Sequence, residues 1–219
     1  MKLLLTSGGI TNKSIAKALF DLVGKRPSET SIAFIPTAAN VARGDMGWFA
    51  KNIFEIYSLG LKFFDVVDIS AVPKSIWLPK LEAADVLFFS GGNTLHLVRW
   101  LNESGLKDLL PELLKTRVYA GVSAGSICVS KTLELSGSAK AGYYKEQFGY
   151  ETNEGLGYVD FFVRPHLNKP GKEGWSKETL EEIAKRISPI YALDDQSAVK
   201  VVDGKVEIVS EGEYIVFNK

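Results

Sequence analysis

The chain has 219 residues, and its 26 Lys plus Arg are balanced by 26 Asp plus Glu, so no net field points to nucleic acid or an anionic membrane as partner. That length buries a sizeable core in one domain, read here as residues 1–219. The single cysteine, Cys128, excludes an intrachain disulfide, and the apolar run Leu3-Leu4-Leu5 is cut by Ser7-Gly8-Gly9, too early for a signal-peptide core or a membrane span. A cytoplasmic protein acting on a small molecule or peptide is the expectation.

In chain order, the first element is an apolar strand, Leu3-Leu4-Leu5-Thr6, that ends in Ser7-Gly8-Gly9 and is followed by an amphipathic helix over 13–23. Ile32-Ala33-Phe34-Ile35 repeats the pattern, ending in Pro36-Thr37-Ala38-Ala39-Asn40, with helical periodicity over 45–59. Val86-Leu87-Phe88-Phe89 runs into Ser90-Gly91-Gly92-Asn93-Thr94, with helices expected over 94–101 and 106–115. Continuous apolarity without alternation marks strands buried on both faces, and the helices between them supply parallel crossovers. The expected fold is an α/β three-layer sandwich with a mainly parallel central sheet. In such sheets ligands bind at the carboxyl ends of the strands, where these loops of small and polar residues collect.

The next strand, Val118-Tyr119-Ala120-Gly121-Val122, leads into Ser123-Ala124-Gly125-Ser126. Gly-x-Ser-x-Gly between a strand and a helix is the pattern of a nucleophile elbow, in which a tight turn lifts the hydroxyl and sets the next amide beside it. A serine needs a base, and the chain has two histidines. His96 lies in the first turns of the helix after Gly91-Gly92, a structural position. His166 follows Phe161-Phe162-Val163-Arg164-Pro165, at the end of a strand and the start of a loop, which suits a base. A carboxylate must orient the imidazole, and Asp194 and Asp195, after Tyr191-Ala192-Leu193, are the two candidates. The Ala124 amide and a glycine amide from Gly91-Gly92-Asn93 would hold an oxyanion. Between these motifs, 141–158 is rich in Gly and Tyr and reads as either a lid or a surface loop. A helix is expected over 177–186, then a hairpin of strands 199–202 and 205–209 about Asp203-Gly204. No spaced metal-ligand pattern and no complete dinucleotide fingerprint is present, so neither a metal nor a cofactor is expected.

Taken together, Phe-Ser-Gly-Gly-Asn-Thr (89–94), Gly-Val-Ser-Ala-Gly-Ser (121–126), Arg-Pro-His-Leu-Asn (164–168) and Leu-Asp-Asp-Gln-Ser-Ala (193–198) resemble the peptidase E family of serine peptidases. The resemblance implies a flavodoxin-like sandwich similar to class I glutamine amidotransferases, with serine in place of their cysteine. It implies a triad in the order Ser123, His166, acid. The family's acid, often a glutamate, maps onto Asp195, and aspartate is one methylene shorter, so Asp194 stays open. Gly92 and Ala124 would form the oxyanion hole, and Gly91, Asn93, Arg164 and Asn168 would bind substrate. Aspartyl dipeptidases of the family carry an arginine beyond the histidine for the substrate's acidic side chain. Here 169–178 has lysines and no arginine, and Lys169 and Lys172 read as solvated loop charge.

The expected activity is hydrolysis of short peptides, with Asp-X dipeptides as one candidate substrate, by a Ser-His-Asp acyl-enzyme mechanism. An α/β-hydrolase-type esterase and a catalytically silent binding protein are the alternatives. The esterase fold orders its triad Ser, acid, His, unlike the order here. The partner is then a small peptide, with no nucleic acid and no membrane, and a homodimer is compatible with the chain.

Overall fold

The computed structural model describes residues 1–170 and 176–218; Lys172 therefore lies outside the described residues. The first half alternates strands and helices: β1 (Lys2–Thr6), α1 (Lys13–Val23), β2 (Ser31–Ile35), α2 (Gly47–Tyr57), β3 (Phe63–Val66), α3 (Lys74–Ala83) and β4 (Val86–Phe89). Then come α4 (Thr94–Glu103), α5 (Leu106–Leu113), β5 (Val118–Val122) and the short helices α6 (Ala124–Ile127), α7 (Gly137–Lys140) and α8 (Tyr143–Phe148). The chain closes with β6 (Phe162–Pro165), α9 (Lys177–Ala184), β7 (Ile190–Leu193), β8 (Ser197–Val202), β9 (Lys205–Ser210) and β10 (Tyr214–Phe217).

Seven strands form the central sheet in the order β3-β2-β4-β5-β1-β8-β9. The five from β3 to β1 are parallel, while β8 runs antiparallel to β1 and β9 antiparallel to β8. The apolar runs are continuous because successive side chains enter two different cores. Leu3, Leu5, Ile35, Leu87, Phe89 and Tyr119 pack on one face, and Leu4, Ile32, Phe34, Phe88, Val118 and Ala120 on the other. Each of these aromatic anchors is worth about 3–5 kcal/mol against truncation to alanine. A separate three-stranded sheet, β10-β7-β6, packs with α9 over a third core that includes Leu135, Leu167, Leu180, Ile190 and Phe217.

Several elements were not anticipated: α7, α8 and β10 besides β3 and α3. The edge strand β3 is only four residues long and two of them are exposed, and α3 carries Pro79 inside it with no concentrated apolar face. Neither β3 nor α3 leaves the periodicity that marks the strands and helices named from the sequence. The expected hairpin is present, with Asp203 and Gly204 both at positive φ (48° and 83°) between β8 and β9, as a tight two-residue turn of type I′ requires.

Candidate active site

Ser123 sits between β5 and α6 with φ 46° and ψ −99°, a backbone conformation that L-residues avoid and that must be held by its surroundings. The holding bonds run to β1 and within the turn. The Ser123 N–H donates to the Thr6 carbonyl at 3.1 Å, and the Ser126 hydroxyl donates to the carbonyls of Thr6 (2.7 Å) and Gly121 (2.9 Å). The two elbow glycines are needed for contact. A Cβ on Gly121 would lie 2.5 Å from the Gly125 carbonyl carbon, and one on Gly125 would lie 2.5 Å from the Phe89 oxygen. Beneath them the Tyr119 hydroxyl donates to the Gly125 carbonyl at 2.6 Å. Burial pushes the neighbouring Cys128 thiol up to about 12, so it is protonated and inert.

His166 and Asp195 arrive from the small sheet. The His166 ring lies with Nε2 3.0 Å from Ser123 Oγ and Nδ1 2.6 Å from Asp195 Oδ1. His166 itself has φ 65°, and its N–H donates to the Ser7 hydroxyl at 2.8 Å. Ser7 in turn donates to Asp195 Oδ1 at 3.1 Å, so one fully buried hydroxyl fixes both the histidine backbone and the carboxylate. The other carboxylate oxygen, Oδ2, accepts from Lys169 Nζ at 2.7 Å. Burial favours the neutral acid here, but the hydrogen bonds and positive charge of His166 and Lys169 outweigh it and hold the Asp195 carboxyl well below the usual range.

Asp194 faces elsewhere. Its carboxylate accepts from the Gln196 N–H (2.9 Å), the Ser197 hydroxyl (2.6 Å) and the Glu213 N–H (2.6 Å), tying the turn that carries the chain from β7 into β8. Of the two acids, only Asp195 reaches the imidazole.

The residues around Ser123 line a cavity of about 720 Å³. Gly91, Gly92, Asn93 and Arg164 are among them, and Asn168 is not. Asn168 takes φ 58° and donates from Nδ2 to Glu213 Oε2 at 2.8 Å, so its side chain anchors the loop from outside. Gly91 approaches the serine closely enough that a Cβ would lie 3.5 Å from Ser123 Cβ. Gly92 adopts φ 131°, and a Cβ there would fall 2.1 Å from the Ala38 carbonyl oxygen, so this loop accepts glycine alone. Arg164 is almost fully buried and donates from Nη1 to the Leu135 carbonyl at 2.9 Å; burial pulls its guanidinium down to about 10, still charged at neutral pH.

Trp48, Tyr143 and Lys169 are among the wall residues that escaped the reading of the sequence. Trp48 of α2 closes against Gly91, with Cζ3 3.5 Å from where a Cβ would stand. Tyr143, from the Gly- and Tyr-rich stretch, brings its hydroxyl 2.7 Å from Asn93 Nδ2 and takes the Arg43 guanidinium over its ring at 4.1 Å. Lys169, read as solvated charge, is bound to Asp195. The signals available were only an aromatic or a lysine near a loop, and the backbone turns that aim them are not written in composition. His96 is structural as expected: buried, it meets the Tyr144 hydroxyl at 2.7 Å, and burial lowers its affinity for a proton. That contact docks α8 on α4. Among the described residues no group of His, Cys, Asp or Glu could hold a metal ion, and no helix is long and apolar enough to cross a membrane.

A serine beside a histidine at the carboxyl edge of a mainly parallel sheet is the architecture of a serine hydrolase, and comparison with known proteins narrows it. Peptidase family S51 matches residues 3–209, and the chain belongs to this family of serine peptidases. It is 29% identical over 171 residues to the uncharacterized peptidase Lmo0363 of Listeria monocytogenes, covering 77% of this chain and 80% of that one. It is 23% identical over 212 residues to peptidase E of an Escherichia coli strain, covering 96% and 86%. In fold it superposes on the crystal structure of a Listeria monocytogenes protein assigned to peptidase E, with TM-score 0.79 at 22% identity, covering 96% of this chain and 98% of that one. The resemblance and the fold expected from the sequence both hold.

Proposed function

We propose that this serine peptidase cleaves short peptides after a free N-terminal residue through an acyl-enzyme formed on Ser123. The observation that carries this reading is the unbroken line Ser123 Oγ, His166 Nε2, His166 Nδ1, Asp195 Oδ1, with contacts of 3.0 and 2.6 Å. His166 takes the hydroxyl proton as Oγ bonds to the scissile carbonyl carbon. The resulting oxyanion lies against the amides of Ala124 and Gly92, each such donor being worth about 2.7–4 kcal/mol in the transition state. When the tetrahedral species collapses, the carbon–nitrogen bond breaks and the leaving amine carries off the proton held by His166. Water, activated by the same imidazole, then releases the N-terminal residue as a free acid. Asp195 keeps Nδ1 protonated and balances the imidazolium.

The substrate is proposed to carry an acidic N-terminal residue. Arg43, Lys51, Arg164 and Lys169 line the cavity, while Asp195 is the single acid among the described lining residues and is already paired. A carboxylate entering such a site gains charge-assisted bonds from the cations that line it. One relative sharing 29% identity over 139 residues is named a probable alpha-aspartyl dipeptidase of Drosophila melanogaster, which supports the same choice. The test is a dipeptide panel varied at the N-terminal residue, run with the wild type and Ser123→Ala. Hydrolysis of Asp-X and Glu-X well ahead of Asn-X and Leu-X, lost in Ser123→Ala, is the expected result. Activity that survives Ser123→Ala overturns the mechanism, and equal hydrolysis of neutral dipeptides overturns the substrate.

A further inference from the structure

Lys169 occupies a position that a triad does not require. Its Nζ lies 2.7 Å from Asp195 Oδ2, on the same carboxylate whose Oδ1 receives His166 Nδ1 at 2.6 Å and the Ser7 hydroxyl at 3.1 Å. The chain is bent to put it there. His166 and Asn168 both take left-handed backbone conformations (φ 65° and 58°), and the Lys169 N–H returns to the His166 carbonyl at 3.3 Å. Asn168 secures the outer side of that bend through Glu213. Two non-glycine residues at positive φ on either side of Leu167 cost free energy that a merely solvated loop charge would not repay.

We propose that Lys169 is a positioning residue that acts through Asp195, fixing the carboxylate and offsetting its charge so that His166 remains a neutral base at lower pH than the acid alone would allow. This rests on the reading of Ser123, His166 and Asp195 given above. The charges that face the imidazole can be enumerated from the elements around it. Asp195 comes from the β7–β8 connection and Lys169 from the loop after β6, and Ser7 and Ser123 beside them are neutral. Arg43 and Lys51 line the cavity from the region of α2, and Arg164 from β6. Asp194 is committed to the turn that joins the two sheets. Asp195 is therefore the one anion in contact with the ring among the described residues, and Lys169 is the cation that shares it. An anion stabilises the imidazolium; a cation held across the same carboxylate reduces that stabilisation. The Lys169 and Asp195 side chains are 45% and 33% exposed, so solvent screening keeps the effect modest.

The experiment is the pH profile of Ser123 labelling by a fluorophosphonate, measured beside kcat/KM on a cleaved dipeptide, for the wild type, Lys169→Met and Lys169→Arg. Lys169→Met should move the acid limb of both profiles to higher pH by about half to one unit, equivalent below the limb to about a three- to tenfold slower reaction. Lys169→Arg should restore the wild-type limb, and the Met shift should shrink in high salt. A Lys169→Met profile superimposed on the wild type, or a change in KM alone with the limb unmoved, overturns the proposal and leaves the triad reading intact. A wild type that never labels at any pH overturns both.

Discussion

Ser123 rises from β5, which is hydrogen-bonded on both sides to parallel partners, whereas His166 and Asp195 leave the ends of β6 and β7 in a sheet of three short strands. The first region is held by the central sheet itself: the elbow is bonded to β1 through Thr6 and braced by glycine contacts against β4. The second is held by side chains, chiefly the Ser7 hydroxyl, which reaches from the end of β1 to the backbone of His166 and the carboxylate of Asp195. The lesson is that the hydroxyl comes from a stiff floor, while the activation proposed for it would depend on a seam between two sheets. Substitutions on the two sides should therefore fail in different ways.

The largest effect is expected at the floor. Ser123→Ala should lower kcat/KM on the best dipeptide by about 10⁴ or more with unfolding unchanged, since the bonds that hold the elbow come from backbone and Ser126; steady-state kinetics with circular dichroism checks this. Asp195→Asn should come next, with about a 10³- to 10⁴-fold loss because an amide cannot fix the same imidazole tautomer. Its neighbour provides the contrast. Asp194→Asn should keep activity within a few-fold but cost about 1–3 kcal/mol in urea unfolding, since the turn loses charge-assisted bonds to Gln196, Ser197 and Glu213. If Asp194→Asn is the inactive variant instead, the assignment of the acid is wrong. At the seam, Ser7→Ala should reduce kcat about 10-fold with little change in KM, because the hydroxyl orients Asp195 without meeting substrate; an unchanged kcat breaks the comparison. The smallest effect concerns acid stability. The Asp195 carboxyl is held low in the folded protein, so its contribution is complete above the ordinary carboxylate range and fades as pH falls below about 4. The gap in melting temperature between wild type and Asp195→Asn should accordingly narrow in acid, as differential scanning fluorimetry from pH 7 to pH 3 would record.

Much of the floor was legible in the sequence because its physics is local. Apolar runs that end in Ser-Gly-Gly, Pro-Thr-Ala or Gly-x-Ser-x-Gly specify buried parallel strands and the loops at their carboxyl ends, and β1, β2, β4 and β5 lie where those runs place them. The seam was legible only in part. His166 stood out because there are two histidines, but only the family resemblance favoured Asp195 over Asp194, since a turn that consumes one of them depends on contacts with Glu213 of a later segment. Lys169 was misread because its aim comes from two residues at positive φ, a conformation that histidine and asparagine tolerate but do not require. Tyr143 and Trp48 were hidden for a related reason: each is brought to the wall by tertiary packing across the strand ends.

The connection from Ser123 to His166 runs through α7 and α8, so the chain divides there into a leading portion that supplies the hydroxyl and a trailing portion that supplies the histidine and carboxylate beside it. Those portions are interleaved, because β8 of the trailing part pairs with β1 of the leading part from Lys2 opposite Val202 to Thr6 opposite Ala198. A nick in that connecting stretch would sever the covalent path between hydroxyl and base while strand pairing still joined them. The two halves of the site thus belong to separate stretches of sequence that the pairing of β1 with β8 holds together, which makes the protein a natural subject for reconstitution from fragments.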